Sequence, residues 1–219
     1  MALDIKICGL KTDGAMAAAL AGGASHVGFI FFAKSPRYVE PAEAGRLREA
    51  ARGKALAVAV TVDASDAFLD EIVAKMQPDM LQLHGAETPE RAAEVKARYG
   101  LPVMKALPLS DAADLERIKP FIGIPDRFLF DAKPPKGSEL PGGNGVAFDW
   151  RILVGLDGGV DYMLSGGLNA ANIGDALRLA NPPGIDISSG VESAPGVKDP
   201  ALIEQFFRAV RAARDNRAA

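Results

Sequence analysis

The chain has 219 residues, of which 48% are hydrophobic and 24% are charged, an ordinary balance for a soluble globular protein. Its net charge of −3 offers no basic field for a polynucleotide or an anionic membrane, so we expect neither as a partner. The single cysteine, Cys8, cannot form an internal disulfide, and nothing indicates an oxidising compartment.

The start of the chain does not resemble a targeting segment. MALDIKI carries an acid and a base where a signal peptide needs an apolar run, and no stretch of about 18 apolar residues occurs that would span a bilayer. No long linker divides the chain. We therefore expect a cytoplasmic protein with a single domain over residues 1–219.

Eight short β-rich segments recur along the chain. Most are continuously apolar, which is typical of strands buried on both faces of a parallel sheet. In chain order they are IKICG (5–9), HVGFIFF (26–32), LAVAVTVD (56–63), MLQLHG (80–85), PVMKALPL (102–109), RFLFDA (127–132), DYMLSGG (161–167) and GIDISSG (184–190).

Helical patterns lie between these segments. Asp13 stands near the start of the first and Gly22-Gly23 at its end, while Pro41 suits the first turn of the second. Thr88-Pro89 and Asp199-Pro200 are typical of an N-cap followed by a first helical residue. Further patterns cover residues 66–76, 111–119 and 169–180.

Strands that begin roughly 20–35 residues apart indicate βα units. Eight such units predict a (β/α)8 TIM barrel of the α/β class, although the chain is shorter than the usual ~250 residues. A doubly wound open sheet is the structural alternative, since alternation alone does not establish closure. No glycine-rich nucleotide fingerprint follows the first strand, which weakens the nucleotide-binding forms of that alternative.

Active sites of (β/α)8 barrels lie at the carboxyl ends of the strands, so the polar residues there are the candidates. We expect them to converge on one mouth. They are Cys8, Arg37, Asp63, Gln82, His84, Lys105, Asp131, Ser165-Gly166-Gly167 and Ser188-Ser189-Gly190. The glycine- and proline-rich segment 133–150, with two lysines, follows the sixth strand and is expected to be a functional loop.

The last two strand endings predict a phosphate site. In SGGLNAANI, two glycines precede a helix that we expect Asn169 to cap, and DISSGVE adds two hydroxyl groups. Glycines let backbone amides approach an anion, and strands seven and eight are the usual place for a phosphate in this fold. The candidates are Gly166, Gly167, Ser188 and Ser189.

Cys8 and Asp131 have two interpretations each from the residues alone. A free cysteine is often a small buried core residue, but a thiol at a strand end beside Gly9 is also placed to act as a nucleophile or general base. Asp131 ends an apolar strand, where it acts either as a loop acceptor or as a general acid.

The histidines and serines indicate no further chemistry. His84 is most simply a structural residue, and His26 begins the second strand, toward the opposite end of a barrel. No second ligand is spaced to complete a metal site with either histidine, and Ser188 and Ser189 lack a histidine base. We expect neither a metal site nor a serine triad.

The chain resembles the phosphoribosylanthranilate isomerase family of tryptophan biosynthesis. Seven motifs occur in the family order: KICGLKT (6–12), GFIFFAKSPR (28–37), LQLHG (81–85), FLFDAK (128–133), GGNGVAFDW (142–150), LSGGL (164–168) and DISSGVE (186–192). The resemblance implies a cofactor-independent Amadori rearrangement of a small phosphosugar, and we expect the protein to be a monomer or homodimer. One departure is Asn144, which stands where the family usually has threonine.

The resemblance also implies roles for the candidate residues. Asp131 would be the general acid and Cys8 the general base, with Arg37 near the anthranilate carboxylate. Gly166, Gly167, Ser188 and Ser189 would hold the phosphate. Gln82, His84 and Asp186 would be further polar residues of the substrate site.

Three other functions of phosphate-binding barrels suit these residues less well. Indole-glycerol-phosphate synthase should show a catalytic lysine with several glutamates at strand ends, but the chain offers Lys105 without such a set. A histidine-pathway isomerase uses aspartates on strands one and five, but strand one of this chain ends in Cys8. A non-catalytic phosphosugar-binding barrel would have no need of both Cys8 and Asp131.

Overall fold

The computed structural model describes residues 3–133, 137–138, 142–143, 148–156 and 159–218, the last without the side chains of 216–218. Eight parallel strands close into a barrel in chain order, which confirms the (β/α)8 prediction and rules out the open sheet. The strands are β1 (Asp4–Cys8), β2 (His26–Phe31), β3 (Leu56–Thr61), β4 (Met80–Leu83), β5 (Val103–Leu109), β6 (Arg127–Ala132), β7 (Tyr162–Leu164) and β8 (Gly184–Ile187).

Helices surround the barrel, as the patterns between the strands predict. They are α1 (Asp13–Gly22), α2 (Pro41–Arg48), α3 (Asp66–Met76), α4 (Pro89–Tyr99), α5 (Ile173–Ala180) and α6 (Pro200–Ala218). Short 3-10 helices cover Glu49–Ala51, Ala112–Phe121, Trp150–Gly155 and Ser189–Val191. A hairpin of β9 (Glu192–Ala194) and β10 (Val197–Lys198) follows β8.

Two helix predictions need correction. Residues 112–121 form a 3-10 helix rather than an α-helix, in a short segment that contains Pro120, which cannot donate an intrahelical hydrogen bond. Asn169 does not cap α5, which begins at Ile173 after Asn172. The Asn169 side chain instead accepts from the backbone amides of Ala171 and Asn172 and stabilises a turn.

Alternate residues of each strand face the barrel interior, which positions the site. The larger apolar core lies between the strands and the helices. A smaller cluster fills the barrel itself and includes Val58, Met104, Leu129, Met163 and, at its upper edge, Cys8. Side chains two residues apart on a strand face the same side. The strand-end residues in line with this cluster therefore also face the interior of the barrel.

His26 lies at the opposite, amino-terminal end of the barrel, as predicted. It is 4% exposed, and its Nδ1 is 2.8 Å from the Ser25 hydroxyl. Burial disfavours the charged imidazolium and lowers the pKa of His26 to about 4, against the opposing attraction of Asp4. The folded protein therefore holds His26 neutral where the unfolded chain binds a proton.

We expect this difference to make the fold sensitive to mild acid. Between about pH 6.5 and pH 4 the unfolded state takes up the extra proton, so stability falls with pH, by about 3 kcal/mol at pH 4. Chemical unfolding across this range should show a steeper loss for the parent than for His26→Asn, which has no titrating ring. Parallel profiles for the two proteins would contradict the prediction.

Candidate active site

A pocket opens at the carboxyl ends of the strands, with about 760 Å³ of empty space including its open mouth. Most of the predicted site residues line it together. They are Cys8, Arg37, His84, Asp131, Gly166, Gly167, Asp186, Ser188 and Ser189. Apolar walls come from residues that include Ile30, Phe32 and Val60, so the pocket combines a few polar groups with an apolar surface, as small-molecule sites do.

Four of the expected strand-end residues do not line this pocket: Asp63, Gln82, Lys105 and Gly190. Asp63 takes a left-handed backbone conformation (φ 46°), and its carboxylate accepts from the amide of Ala86. Lys105 is 1% exposed, and its Nζ lies 2.8 Å from the Glu87 carboxylate and 2.8 Å from the Gly85 carbonyl. Asp63 and Lys105 stabilise loops, and the expectation that these four residues reach the pocket is wrong.

Cys8 stands at the end of β1, 5% exposed, in a strongly charged setting. Burial raises the pKa of its thiol above the ordinary 9.0, and Asp186 adds to this effect. The ammonium groups of Lys6 and Lys198 act in the opposite direction. The Ser188 hydroxyl donates to the Cys8 carbonyl at 3.1 Å and ties the end of β1 to the loop after β8.

Asp131 faces the pocket from β6, and its two oxygens have different surroundings. Oδ1 accepts from the backbone amide of Ala132 at 2.9 Å. Oδ2 lies 3.5 Å from His84 Nε2. One carboxyl oxygen is therefore held by the backbone, while the other faces the pocket and the histidine.

Gln82 is fully buried and does not line the pocket. Its amide nitrogen lies 2.8 Å from His84 Nδ1. This contact orients the imidazole so that its other nitrogen, Nε2, faces Asp131. Gln82 thus contacts the site through His84.

The loop after β6 closes on these groups where the structure describes it. A Cβ at Gly142 would lie 2.5 Å from Asp131 Oδ2 and 2.6 Å from His84 Nε2, so a larger residue there would displace one of these two side chains. Asn144 and Lys136, the second of the two lysines in this loop, lie outside the described residues.

Arg37 reaches the pocket from the segment after β2, with 5% exposure. Its Nε and Nη2 bond the two oxygens of Glu192 at 2.8 and 3.0 Å, and Nη2 also donates to the Gly143 carbonyl at 3.3 Å. Within the described chain Nη1 has no partner, so that nitrogen is available to an anion in the pocket.

Glu192 and Lys198 support this arginine from the β9–β10 hairpin, and sequence reasoning missed both roles. Lys198 donates to Glu192 and, at 3.3 Å, to the Ser188 hydroxyl. Burial opposes ionisation of Glu192, but Arg37 and Lys198 outweigh it and lower the pKa of the carboxyl. Glu192 is part of the DISSGVE motif, yet no local pattern shows that it contacts Arg37.

The predicted phosphate site has the required backbone. Gly166 and Gly167 take left-handed conformations (φ 90° and 63°), and a Cβ at Gly166 would lie 2.7 Å from the Ala132 nitrogen. Their amide groups donate to no acceptor among the described residues. Free amides beside the hydroxyl groups of Ser188 and Ser189 form a cup suited to an anion.

Comparison with known proteins identifies the family. Residues 5–209 match the sequence model described as N-(5'phosphoribosyl)anthranilate (PRA) isomerase. The chain belongs to this family. The phosphoribosylanthranilate isomerase of Mesorhizobium japonicum is 92% identical over the whole of both chains. That of Brucella canis is 69% identical over 96% of this chain and 95% of its own.

Solved structures of the family have the same fold. The Thermotoga maritima isomerase superposes with a TM-score of 0.86 at 31% identity, over 96% of this chain and all of its own. A second family structure, 28% identical with a TM-score of 0.82 over the same shares, is a complex with reduced 1-(o-carboxyphenylamino)-1-deoxyribulose 5-phosphate. These likenesses confirm the family and the barrel that the seven motifs predict.

Two further findings concern the described residues. None of their helices is long and apolar enough to cross a membrane. They also contain no group of three or more His, Cys, Asp or Glu side chains arranged to hold a metal ion. The expectation of a metal-free site stays a prediction.

We expect the buried carboxylate of Glu192 to matter for stability as well as for the shape of the site. Its side chain is 4% exposed between two cations, so Glu192→Gln should cost about 3 kcal/mol by leaving Arg37 and Lys198 without a counter-charge. Urea unfolding measures this loss. Glu49→Gln breaks an exposed pair with Arg52 and should leave the unfolding curve nearly unchanged. Equal effects of the two changes would contradict the prediction.

Proposed function

We propose that the protein catalyses the isomerisation of N-(5'-phosphoribosyl)anthranilate, an aminoaldose, to 1-(2-carboxyphenylamino)-1-deoxyribulose 5-phosphate, an aminoketose of tryptophan biosynthesis. The observation that carries the proposal is one pocket in which Cys8 and Asp131 face a glycine and serine cup. The 92% identical relative is named for this activity, and a family structure holds the reduced product analogue.

The first step belongs to Asp131. Its protonated carboxyl gives a proton to the ribose ring oxygen as the bond from C1' to that oxygen breaks, and the amino nitrogen supplies the electron pair. The ring opens to a protonated imine. His84 and the Ala132 amide, which contact the carboxyl, hold it toward the substrate.

The second step belongs to Cys8. Its thiolate removes the C2' proton, and the electrons of the C–H bond flow into the imine to form an enolamine. That intermediate tautomerises to the ketose when the C2' hydroxyl loses its proton and C1' gains one. No electron enters or leaves the substrate, so the protein's own acid and base suffice, and we propose that no cofactor takes part.

The charge of the imine bears on how Cys8 ionises. Burial raises the pKa of the thiol in the free protein, which disfavours the thiolate that the second step needs. A cationic imine in the same pocket lowers that cost, because an opposite charge favours the thiolate. The first step thus prepares the base for the second.

The two anionic ends of the substrate have separate places in the proposal. The phosphate lies on the free amides of Gly166 and Gly167 and against Ser188 and Ser189, and the Ser188 hydroxyl donates to it in exchange for its bond to the Cys8 carbonyl. The anthranilate carboxylate lies against Arg37, whose Nη1 is available while Glu192 holds the rest of the guanidinium. His84 and Asp186 complete the polar wall.

The rival functions fit this pocket less well. Lys105, the lysine that the sequence offers a synthase, is bound to Glu87 away from the pocket. The aspartate of a histidine-pathway isomerase on strand one is replaced by Cys8.

A cytoplasmic location and a monomeric or homodimeric state are further parts of the proposal.

Exchange of either reacting group tests the mechanism. Cys8→Ser and Asp131→Asn should each lower kcat by about 10²- to 10⁴-fold, because each removes one proton transfer. Asp126→Asn makes the same chemical change just before β6, at the other end of the barrel, and should leave turnover intact. Variants at Cys8 and Asp131 that turn over as fast as the parent would refute the assignment.

Arg37 is tested separately from the chemistry. Arg37→Lys keeps the charge but cannot hold Glu192 with two nitrogens and also offer a third to the substrate. We expect kcat/KM to fall about 10- to 100-fold, mainly through KM. Arg46→Lys, on the exposed face of α2, is the control. A fall confined to kcat would argue against carboxylate binding.

The function as a whole is tested by genetic complementation. The gene should restore growth without tryptophan to a bacterial strain that lacks this isomerase. Soluble expression without growth would favour one of the rival functions.

A further inference from the structure

Lys6 lies directly beneath the pocket, and none of the proposed steps uses its charged side chain. Lys6 is completely buried in β1, and its Nζ is 2.9 Å from Asp186 Oδ1. The two residues are direct partners across the β1–β8 pairing. Burying a lysine in a barrel core costs free energy, and the cost is large unless the charge is paired.

Lys6 and Cys8 are neighbours on one face of β1. They are two residues apart, so both side chains point into the barrel. Both side chains lie close to Gly28 on β2: a Cβ there would lie 3.0 Å from Cys8 Sγ and 3.2 Å from Lys6 Cε. The absence of a side chain at position 28 leaves room for thiol and lysine to lie side by side.

Asp186 keeps this lysine charged. Burial alone would lower the pKa of Lys6, but the carboxylate of Asp186 and the neighbouring Cys8 outweigh it, and the pKa lies above the ordinary value. Lys6 thus favours its charged form, and that charge lies next to the thiol.

We propose that Lys6 is a positioning residue that stabilises the thiolate of Cys8, with Asp186 holding its ammonium group in place. The inference deepens the proposed function, because it rests on Cys8 as the general base. A thiolate in a buried site needs a counter-charge, and Lys6 supplies it from below while the substrate enters from above.

Other charges face Cys8, and their arrangement explains why Lys6 has this role. Asp186 on β8 opposes ionisation, and Lys198 on β10 favours it. Both lysines are paired with a carboxylate, Lys6 with Asp186 and Lys198 with Glu192, but Lys6 lowers the pKa of the thiol more than Lys198 does. Asp131, His84 and Arg37 line the same pocket from other strands and loops.

The ionisation of Cys8 is directly measurable, because it is the only cysteine in the chain. We would follow thiolate absorbance near 240 nm and the rate of alkylation by iodoacetamide against pH, without substrate. Lys6→Met and Lys6→Gln remove the charge, and each should raise the titration midpoint by about one pH unit or more, leaving about tenfold less thiolate below it. Lys6→Arg keeps the charge and should stay near the parent.

Lys105→Met is the matched control. Lys105 is also a buried lysine of a barrel strand bonded to a carboxylate, but it lies away from the pocket. Its loss should lower stability and leave the thiol midpoint unchanged. Folded neutral variants of Lys6 whose thiol titrates like that of the parent would overturn the proposal.

A second measurement covers neutral variants that fail to fold. In the parent labelled with ¹⁵N-lysine, the Lys6 ammonium resonance should shift at the Cys8 midpoint, and this step should vanish in Cys8→Ser. Its absence in the parent would also overturn the proposal. Neither readout needs turnover, so an isomerase assay that fails would refute the proposed function without deciding whether Lys6 and Cys8 are coupled.

Discussion

The hydrogen-bonded pairing of β1 with β8 is the contact on which the site depends. It closes the barrel and joins residues about 180 positions apart, with Lys6 opposite Asp186 and Ile7 opposite Ile187. The same join brings the Ser188 hydroxyl to the Cys8 carbonyl. In an open sheet of the same strand order, β1 and β8 would be opposite edges, and the thiol would lie far from the phosphate cup.

Buried charges form a second level of organisation around that join. Lys6 with Asp186 lies below the pocket, and Arg37 with Glu192 and Lys198 lies at its rim. Such groups cost free energy to bury, and apolar residues would often stabilise a core as well or better. These charges lie beside the Cys8 thiol and in contact with Arg37, so they act on the groups of the pocket as well as on stability.

Much of the fold follows from local pattern, since the eight apolar segments are the eight strands and most helices begin where their caps predict. The exceptions have physical reasons. The segment with Pro120 winds into a 3-10 helix, and Asn169 stabilises a turn because the chain is still irregular at that point. The β9–β10 hairpin carries Glu192 and Lys198 but lacks a strong apolar alternation, so neither was placed in advance.

The sequence by itself determined the strands, their order and the residues that end them, because alternation and chain length limit a βα chain to few arrangements. Seven motifs in order also determined the family. Only the tertiary structure decided which strand-end groups face one another. Gln82 lies beneath His84, Lys105 turns to Glu87 and Arg37 meets Glu192, because these directions depend on barrel closure and on contacts between residues distant in sequence.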